Sequence, residues 1–159
     1  MEGGLSQLGS RTTQYRYDSP LASQLEVFSN PSPNSPFVIG LDCLEFTSLC
    51  PVTGQPDYGL IYVSYIPQEL CVESKSLKLY LGAFRNHGAF HESCVNQIAH
   101  DLATRLAPRA LRVYGDFNAR GGIAIKPLVS YASESLSEEE RLRDSARMAE
   151  FDALRRSLR

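Results

Sequence analysis

Cys50 and Asp57 stand seven residues apart in the stretch FTSLCPVTGQPD, a thiol and a carboxylate on either side of a turn bounded by Pro51 and Pro56. A thiolate is a strong nucleophile, and a carboxyl group within reach can give or take the proton that its attack requires. Each proline fixes its own φ and biases the residue before it away from helix, so the loop between them is stiff. A single cysteine equally serves as a small buried hydrophobe, and the two residues alone leave both readings open.

Three further groups can do chemistry. Lys75 and Lys78 in VESKSLKLYL fall together on one side of a helical segment, a solvated face or, with the helix amino terminus, an anion site. His91 and Glu92 open a second helical segment; there Glu92 is either a residue favoured by the helix dipole or a carboxylate pointing into a pocket. Arg120 precedes Gly121-Gly122 and is a turn arginine or a third cation aimed at phosphate. His87, His91 and Cys94 have spacings that one helical face could present to zinc, but Gly88 breaks that helix before the second ligand. Cys94 is also a candidate partner for Cys50 in a disulfide formed under oxidation.

The elements that must position these groups follow from periodicity. FVIGLDCLEF puts Phe37, Ile39, Leu41 and Cys43 on one face of a strand, and YGLIYVSYI, ended by Pro67, is its antiparallel partner, with Cys50 on the connecting loop. Leu77, Tyr80, Leu81 and Phe84 share one helical face, with Ser74 or Ser76 as the cap. Val95, Ile98, Leu102 and Leu106 mark the buried stripe of the next helix, which Pro108 stops; His100 falls on its polar side. RALRVYGDF alternates as a half-buried strand, NARGG turns the chain, and GIAIKPLVSY is the partner strand. The predicted order is β-β-α-α-β-β, an α+β antiparallel sheet with both helices on one face and open edges suited to pairing with other subunits.

The flanks differ in character. Residues 1–36 form an arm ending in the proline-rich SNPSPNSP, with Tyr15, Tyr17, Leu25 and Phe28 able to pack on the body. Residues 37–131 hold the expected catalytic domain, and residues 132–159 a charged helix. In that helix Ser137 and Glu140 form a capping box, and Leu142, Ala146, Ala149, Ala153 and Leu158 make a narrow apolar seam for a surface or subunit contact.

At 159 residues the chain suits one domain, and its net charge of −2 offers no basic field for nucleic acid or an anionic membrane. No apolar run approaches a membrane span and the amino terminus lacks a secretory pattern, so a cytoplasmic protein is expected, with its four cysteines as free thiols.

FTSLCPVTGQPD, VESKSLKLYL, FRNHGAFHE and RGG, in this order and spacing, resemble the single-domain 7-cyano-7-deazaguanine reductases over about Ser6 to Tyr131. That family comprises NADPH-dependent nitrile reductases of the queuosine pathway, built on the tunnelling fold of GTP cyclohydrolase I, whose subunits associate into a barrel. The resemblance implies that Cys50 adds to the nitrile carbon to give a thioimide, that Asp57 donates the proton, and that His91 assists or positions the substrate. It implies substrate contacts from Val72, Glu73, Ser74, His91 and Glu92, and NADPH phosphate contacts from Lys75, Lys78 and Arg120. No resident metal is implied. Because the chain has no GxGxxG unit, the nicotinamide cofactor rests on the resemblance and the three cations. The rival readings are a zinc-dependent pterin cyclohydrolase or synthase of the same fold, and a non-catalytic purine-binding module.

Overall fold

The computed structural model describes Thr13 and residues 15–157. Leu158, and residues 6–12 of the stretch that carries the resemblance, lie outside the described residues. After a short 3-10 turn at Ala22–Gln24 come β1 (Val27–Ser29), β2 (Ile39–Leu49), β3 (Pro56–Ile66) and β4 (Leu70–Val72). These are followed by α1 (Ser74–Gly82), α2 (His91–Leu106), β5 (Ala110–Phe117), β6 (Leu128–Ala132) and α3 (Glu138–Ser157).

Strands β2, β3, β5 and β6 form one antiparallel sheet in the order β2-β3-β5-β6. Its inner face carries Leu41, Ile61, Val63, Tyr65, Leu111, Val113 and Phe117, at the alternate positions that a pleated strand presents to one side. Against it pack Leu77, Tyr80 and Phe84 of α1 and its C-terminal extension, and Val95, Ile98, Leu102 and Leu106 of α2. The expected α+β layers are therefore present, with α1 and α2 on one face. The arm joins the same core through Leu25, which is fully buried, and β1 pairs with β4 as a second small sheet absent from the predicted order.

A bulge in β2 decides where its end points. The register with β3 shifts between Cys43 and Phe46, so the inward positions change from Leu41 and Cys43 to Phe46 and Ser48. Without that shift Glu45 and Thr47 would face the core. The bulge buries Phe46 instead, and pairs Ser48 with Asp57 on β3, next to the Cys50 loop.

Two elements depart from expectation. The partner of β5 begins at Leu128, not at Gly122: Pro127 accepts from Gly115 N at 2.9 Å but has no N–H to donate, and the pairing loosens beyond it to Phe117 N to Ile125 O at 3.4 Å. Helix α3 lies on the sheet's opposite face and docks through a side other than the expected seam. Leu142, Ala146, Ala149 and Ala153 are exposed, whereas Asp144 and Met148 are buried. The reason is the face it meets: Ser64, Arg112, Tyr62 and Tyr114 are polar or amphipathic, so the helix brings Asp152 to Arg112 and Arg155 to Asp42. Asp144 pairs with Arg109 at 2.8 Å, and the Phe151 ring lies where a Cβ on Gly40 would stand. The Ser137–Glu140 capping box forms as predicted, with Ser137 N to Glu140 Oε2 at 2.9 Å.

Candidate active site

Cys50 follows β2 directly, and its loop is closed by Cys50 N donating to Gln55 O at 2.9 Å and Gly54 N to Cys50 O at 2.9 Å. Leu49 is clamped to the segment before α2: its N donates to His87 O, and Ala89 N donates to its carbonyl. Gly88 therefore lies in an extended bridge to Leu49, and α2 starts only at His91. This clamp brings the start of α2 to the end of the β2-β3 hairpin. The sulfur is accessible, and the thiol is lowered to about 6 by the Thr53 side chain, then by the Thr53 and Val52 backbone, then by Arg120. Cys50 is thus largely thiolate at neutral pH.

Asp57 occupies an inward position of β3 and is almost fully buried. Its Oδ1 accepts from Arg120 Nη1 at 2.6 Å, and its Oδ2 stands 3.2 Å from His91 Nε2. Neither ring nitrogen of the buried His91 makes a hydrogen bond, so the imidazole stands close to the carboxyl group without the alignment of one. The His91 ring lies flat on Phe117, with centroids 4.0 Å apart and planes 11° apart. Phe117, against the His91 ring, and Thr53, beside the Cys50 sulfur, border the site although the sequence marks neither as a site residue. Their only signals were an inward strand position for the first and a hydroxyl inside the cysteine loop for the second.

Arg120 stands at the root of a two-residue turn. Its N donates to Ile123 O at 2.9 Å and Ile123 N donates back at 3.1 Å, around Gly121 and Gly122 with φ of 59° and 81°. Positive φ at both central positions is the tight hairpin geometry that glycine accepts without strain. The guanidinium faces the Cys50 sulfur, which is the leading cause of its raised pKa, and its Nη2 reaches Gln55 Oε1 at 3.4 Å. Cys50, Asp57, His91 and Arg120 therefore converge.

The remaining expected residues lie elsewhere on the chain. Val72 ends β4, and Glu73 caps α1, accepting from Lys75 N at 2.8 Å and Ser76 N at 2.7 Å. Glu73 thus replaces the expected serine cap, since its longer side chain reaches both amide groups from the Ncap position. The same two bonds fill the helix amino terminus that the sequence had offered to an anion. Ser74 and Lys78 line a groove of about 760 Å³ along β2, with Arg85 and Tyr17, while Lys75 sits half-buried in the first turn. Cys50, Asp57, His91 and Arg120 are not among that groove's lining residues. Glu92 is exposed in the first turn of α2, one residue from buried His91. Cys94 is a free, fully buried thiol pushed up to about 11, chiefly by burial. Among the described residues no three His, Cys, Asp or Glu converge as metal ligands.

An accessible cysteine near a buried carboxyl group and imidazole and a half-buried guanidinium, on this helix-backed antiparallel sheet, marks a candidate active site on a tunnelling fold. The fold is shared with the crystal structure of the archaeosine synthase QueF-Like in the apo form, at a TM-score of 0.57 and 18% identity over 65% of this chain and 100% of that one. The family described as QueF-like protein matches residues 56–136. The chain is 56% identical over 144 residues to the NADPH-dependent 7-cyano-7-deazaguanine reductase of Helicobacter pylori (strain HPAG1), covering 89% of this chain and 95% of the relative. It is 52% identical over 136 residues to the reductase of that name from Streptococcus mutans serotype c, covering 86% and 83%. The chain belongs to the family of NADPH-dependent 7-cyano-7-deazaguanine reductases.

Proposed function

We infer that the protein reduces the nitrile of 7-cyano-7-deazaguanine to the primary amine in queuosine biosynthesis, with NADPH as reductant and Cys50 as nucleophile. The observation that carries this reading is the convergence of the Cys50 thiolate with Asp57 and His91 at the end of one hairpin. The thiolate adds to the nitrile carbon, one C–N π bond opens, and the nitrogen takes a proton from the Asp57 carboxyl, giving a neutral thioimide and a carboxylate. His91, held flat on Phe117, keeps a second exchangeable proton beside the same carboxyl group. Converting the nitrile to a thioimide splits one difficult addition into easier steps. NADPH, when bound, supplies a hydride for each of the two reductions that lead to the amine.

Glu92, exposed beside His91, suits the ring N–H and exocyclic amine of a guanine-like base, each of which donates to one carboxylate oxygen. Val72 and Ser74, positioned by the Glu73 cap, form the second substrate-facing segment. Lys78 and Arg85 in the groove, with Lys75 on the first turn of the same helix as Lys78, have the charge that dinucleotide phosphates require, and the groove's volume falls within the usual range for ligand clefts. That groove follows β2, an open edge of the sheet among the described residues. Self-association through the open edges of β2 and β6 would bring one chain's groove to another chain's cysteine, and this is the barrel-forming assembly we propose. Among the described residues no helix is long and apolar enough to cross a membrane, and we place the reaction in the cytoplasm.

Intact mass after incubation with 7-cyano-7-deazaguanine and no NADPH tests the reading. The expected result is a gain of one substrate mass, absent from Cys50→Ala and discharged by NADPH. No adduct on folded protein would overturn the thioimide route and leave pure purine binding as the better account. Activity that requires added zinc would instead favour the cyclohydrolase chemistry.

A further inference from the structure

His91 reaches the carboxyl group of Asp57 with no hydrogen bond to hold its ring. It is the first residue of α2, its Nε2 lies 3.2 Å from Asp57 Oδ2, and neither ring nitrogen is bonded. An imidazole keeps torsional freedom about its broad χ2 well unless a neighbour removes it. Phe117 is that neighbour: its ring lies along the imidazole, with centroids 4.0 Å apart and planes 11° apart. A flat face fixes the plane of the ring laid on it, and that plane contains both nitrogens.

Two glycines in turn seat the Phe117 ring. Phe117 ends β5, Gly59 is its partner across the register with β3, and Gly115 stands two residues before it on the same inward face. A Cβ on Gly59 would meet Phe117 Cα at 2.9 Å, and one on Gly115 would meet Phe117 Cε2 at 2.8 Å and Val95 Cγ2 at 2.7 Å. Those separations are too short for any side chain, so bare backbone at both positions lets the ring lie against the sheet and lets α2 close over it through Val95. Gly59 is two residues from Asp57 on the inward face of β3, so the seat and the carboxyl group share one stretch of strand.

We propose that Phe117, seated by Gly59 and Gly115, is a positioning residue for nitrile reduction: it holds the His91 imidazole at Asp57 by stacking, in place of the hydrogen bond that commonly orients a working histidine. The role in turnover rests on the nitrile-reductase reading, whereas the placement of the ring rests on the stack alone. A stack engages no nitrogen, so a proton can sit on or leave the side facing Asp57 without breaking a bond to the fold. Phe46 also packs on Phe117, at a centroid distance of 5.9 Å and an interplanar angle of 82°, and it provides a comparison within the same core.

Phe117→Leu keeps an apolar side chain and removes the flat face. Turnover of 7-cyano-7-deazaguanine, followed by NADPH oxidation, is expected to fall by about 10–100-fold, the scale of a working group misplaced by about 1 Å. Phe117→Tyr retains a ring and should recover most of that loss, while alkylation of Cys50 by iodoacetamide, read on its peptide by mass spectrometry, should stay unchanged in both. If Phe117 acts through His91, its effect disappears with the imidazole: His91→Ala and the double variant His91→Ala/Phe117→Leu should share one residual rate. Carbethoxylation of His91 by diethyl pyrocarbonate, with neither substrate nor NADPH, reads the stack by itself and should rise severalfold in Phe117→Leu but not in Phe46→Leu. Additive losses in the double variant, an equal fall in turnover for Phe46→Leu, or unchanged carbethoxylation in Phe117→Leu would overturn the proposal and leave Phe117 as ordinary core. Phe117→Met, an adaptable side chain of similar reach, keeps the test open if Phe117→Leu is poorly folded by circular dichroism. Failure of the nitrile-reductase reading would show as no substrate-dependent NADPH oxidation by the wild-type protein, whereas the carbethoxylation comparison depends on the stack alone.

Discussion

At Cys50 reactivity is governed by how much sulfur is ionised, and the loop rather than the core sets that fraction. The thiol is lowered to about 6, so thiolate is present above that value and is lost as pH falls through it. The alkylation rate of Cys50 should therefore be flat from about pH 7 upward and drop below pH 6, where an ordinary thiol would show its midpoint at about 8.5. Because the Thr53 side chain is the largest cause, Thr53→Val should move the midpoint up; an unchanged midpoint would mean that the backbone N–H groups suffice. Asp57 has a separable task. Displacement of iodide from iodoacetamide needs no proton, whereas trapping a nitrile as a thioimide does. Asp57→Asn is thus expected to leave alkylation within a few-fold and to slow adduct formation by roughly 10²–10⁴, the usual range for a lost general acid. Equal losses in both assays would instead assign Asp57 to holding the loop.

Among the elements, α3 gives the clearest test of what docks it. Asp144 is buried between Arg109 and Arg147, at 2.8 Å and 3.1 Å, so Asp144→Ala strips a partly buried guanidinium of its partner. The expected cost is about 1–3 kcal/mol, read from the urea midpoint together with faster proteolysis in α3. Leu142→Ser, on the exposed seam, should change the midpoint by no more than about 0.5 kcal/mol in the isolated chain. The reverse order would mean that the apolar seam is the packed face. The sequence made α2 legible because Val95, Ile98, Leu102 and Leu106 repeat at helical spacing over a stripe that the core requires. It made Asp57 legible as a neighbour of Cys50 because a hairpin returns the chain at that distance. The docking face of α3 was not legible, because its partners are charges on a polar sheet face and hydropathy alone assigned contact to the alanines. The β2 bulge has no compositional mark either: Leu44 and Glu45 read as an uninterrupted strand. The stack of His91 on Phe117 joins residues from two elements whose relative placement only the tertiary structure supplies.

For the molecule as a whole, the sheet leaves β2 and β6 unpaired on one side each among the described residues, and such edges invite another chain. Along β6 the outward donors can be identified from the register. Ser133 N bonds Arg109 O and Gly115 N bonds Pro127 O, which makes Leu111↔Tyr131 and Val113↔Val129 the hydrogen-bonded pairs of the alternating ladder. Ser130, opposite Arg112, therefore belongs to a non-hydrogen-bonded pair and points its N–H away from β5. Ser130→Pro removes that outward donor while sparing every bond between β5 and β6, a substitution that an edge strand tolerates. If β6 is a subunit contact, light scattering should show Ser130→Pro as a smaller species than the wild type, with nitrile reduction reduced in step. Alkylation of Cys50 should stay unchanged, because the groups that ionise the thiol all come from its own chain. An unaltered mass in solution would exclude pairing through this edge. A smaller species with full activity would show that one chain holds a complete site, and that the groove along β2 reaches Cys50 without a partner.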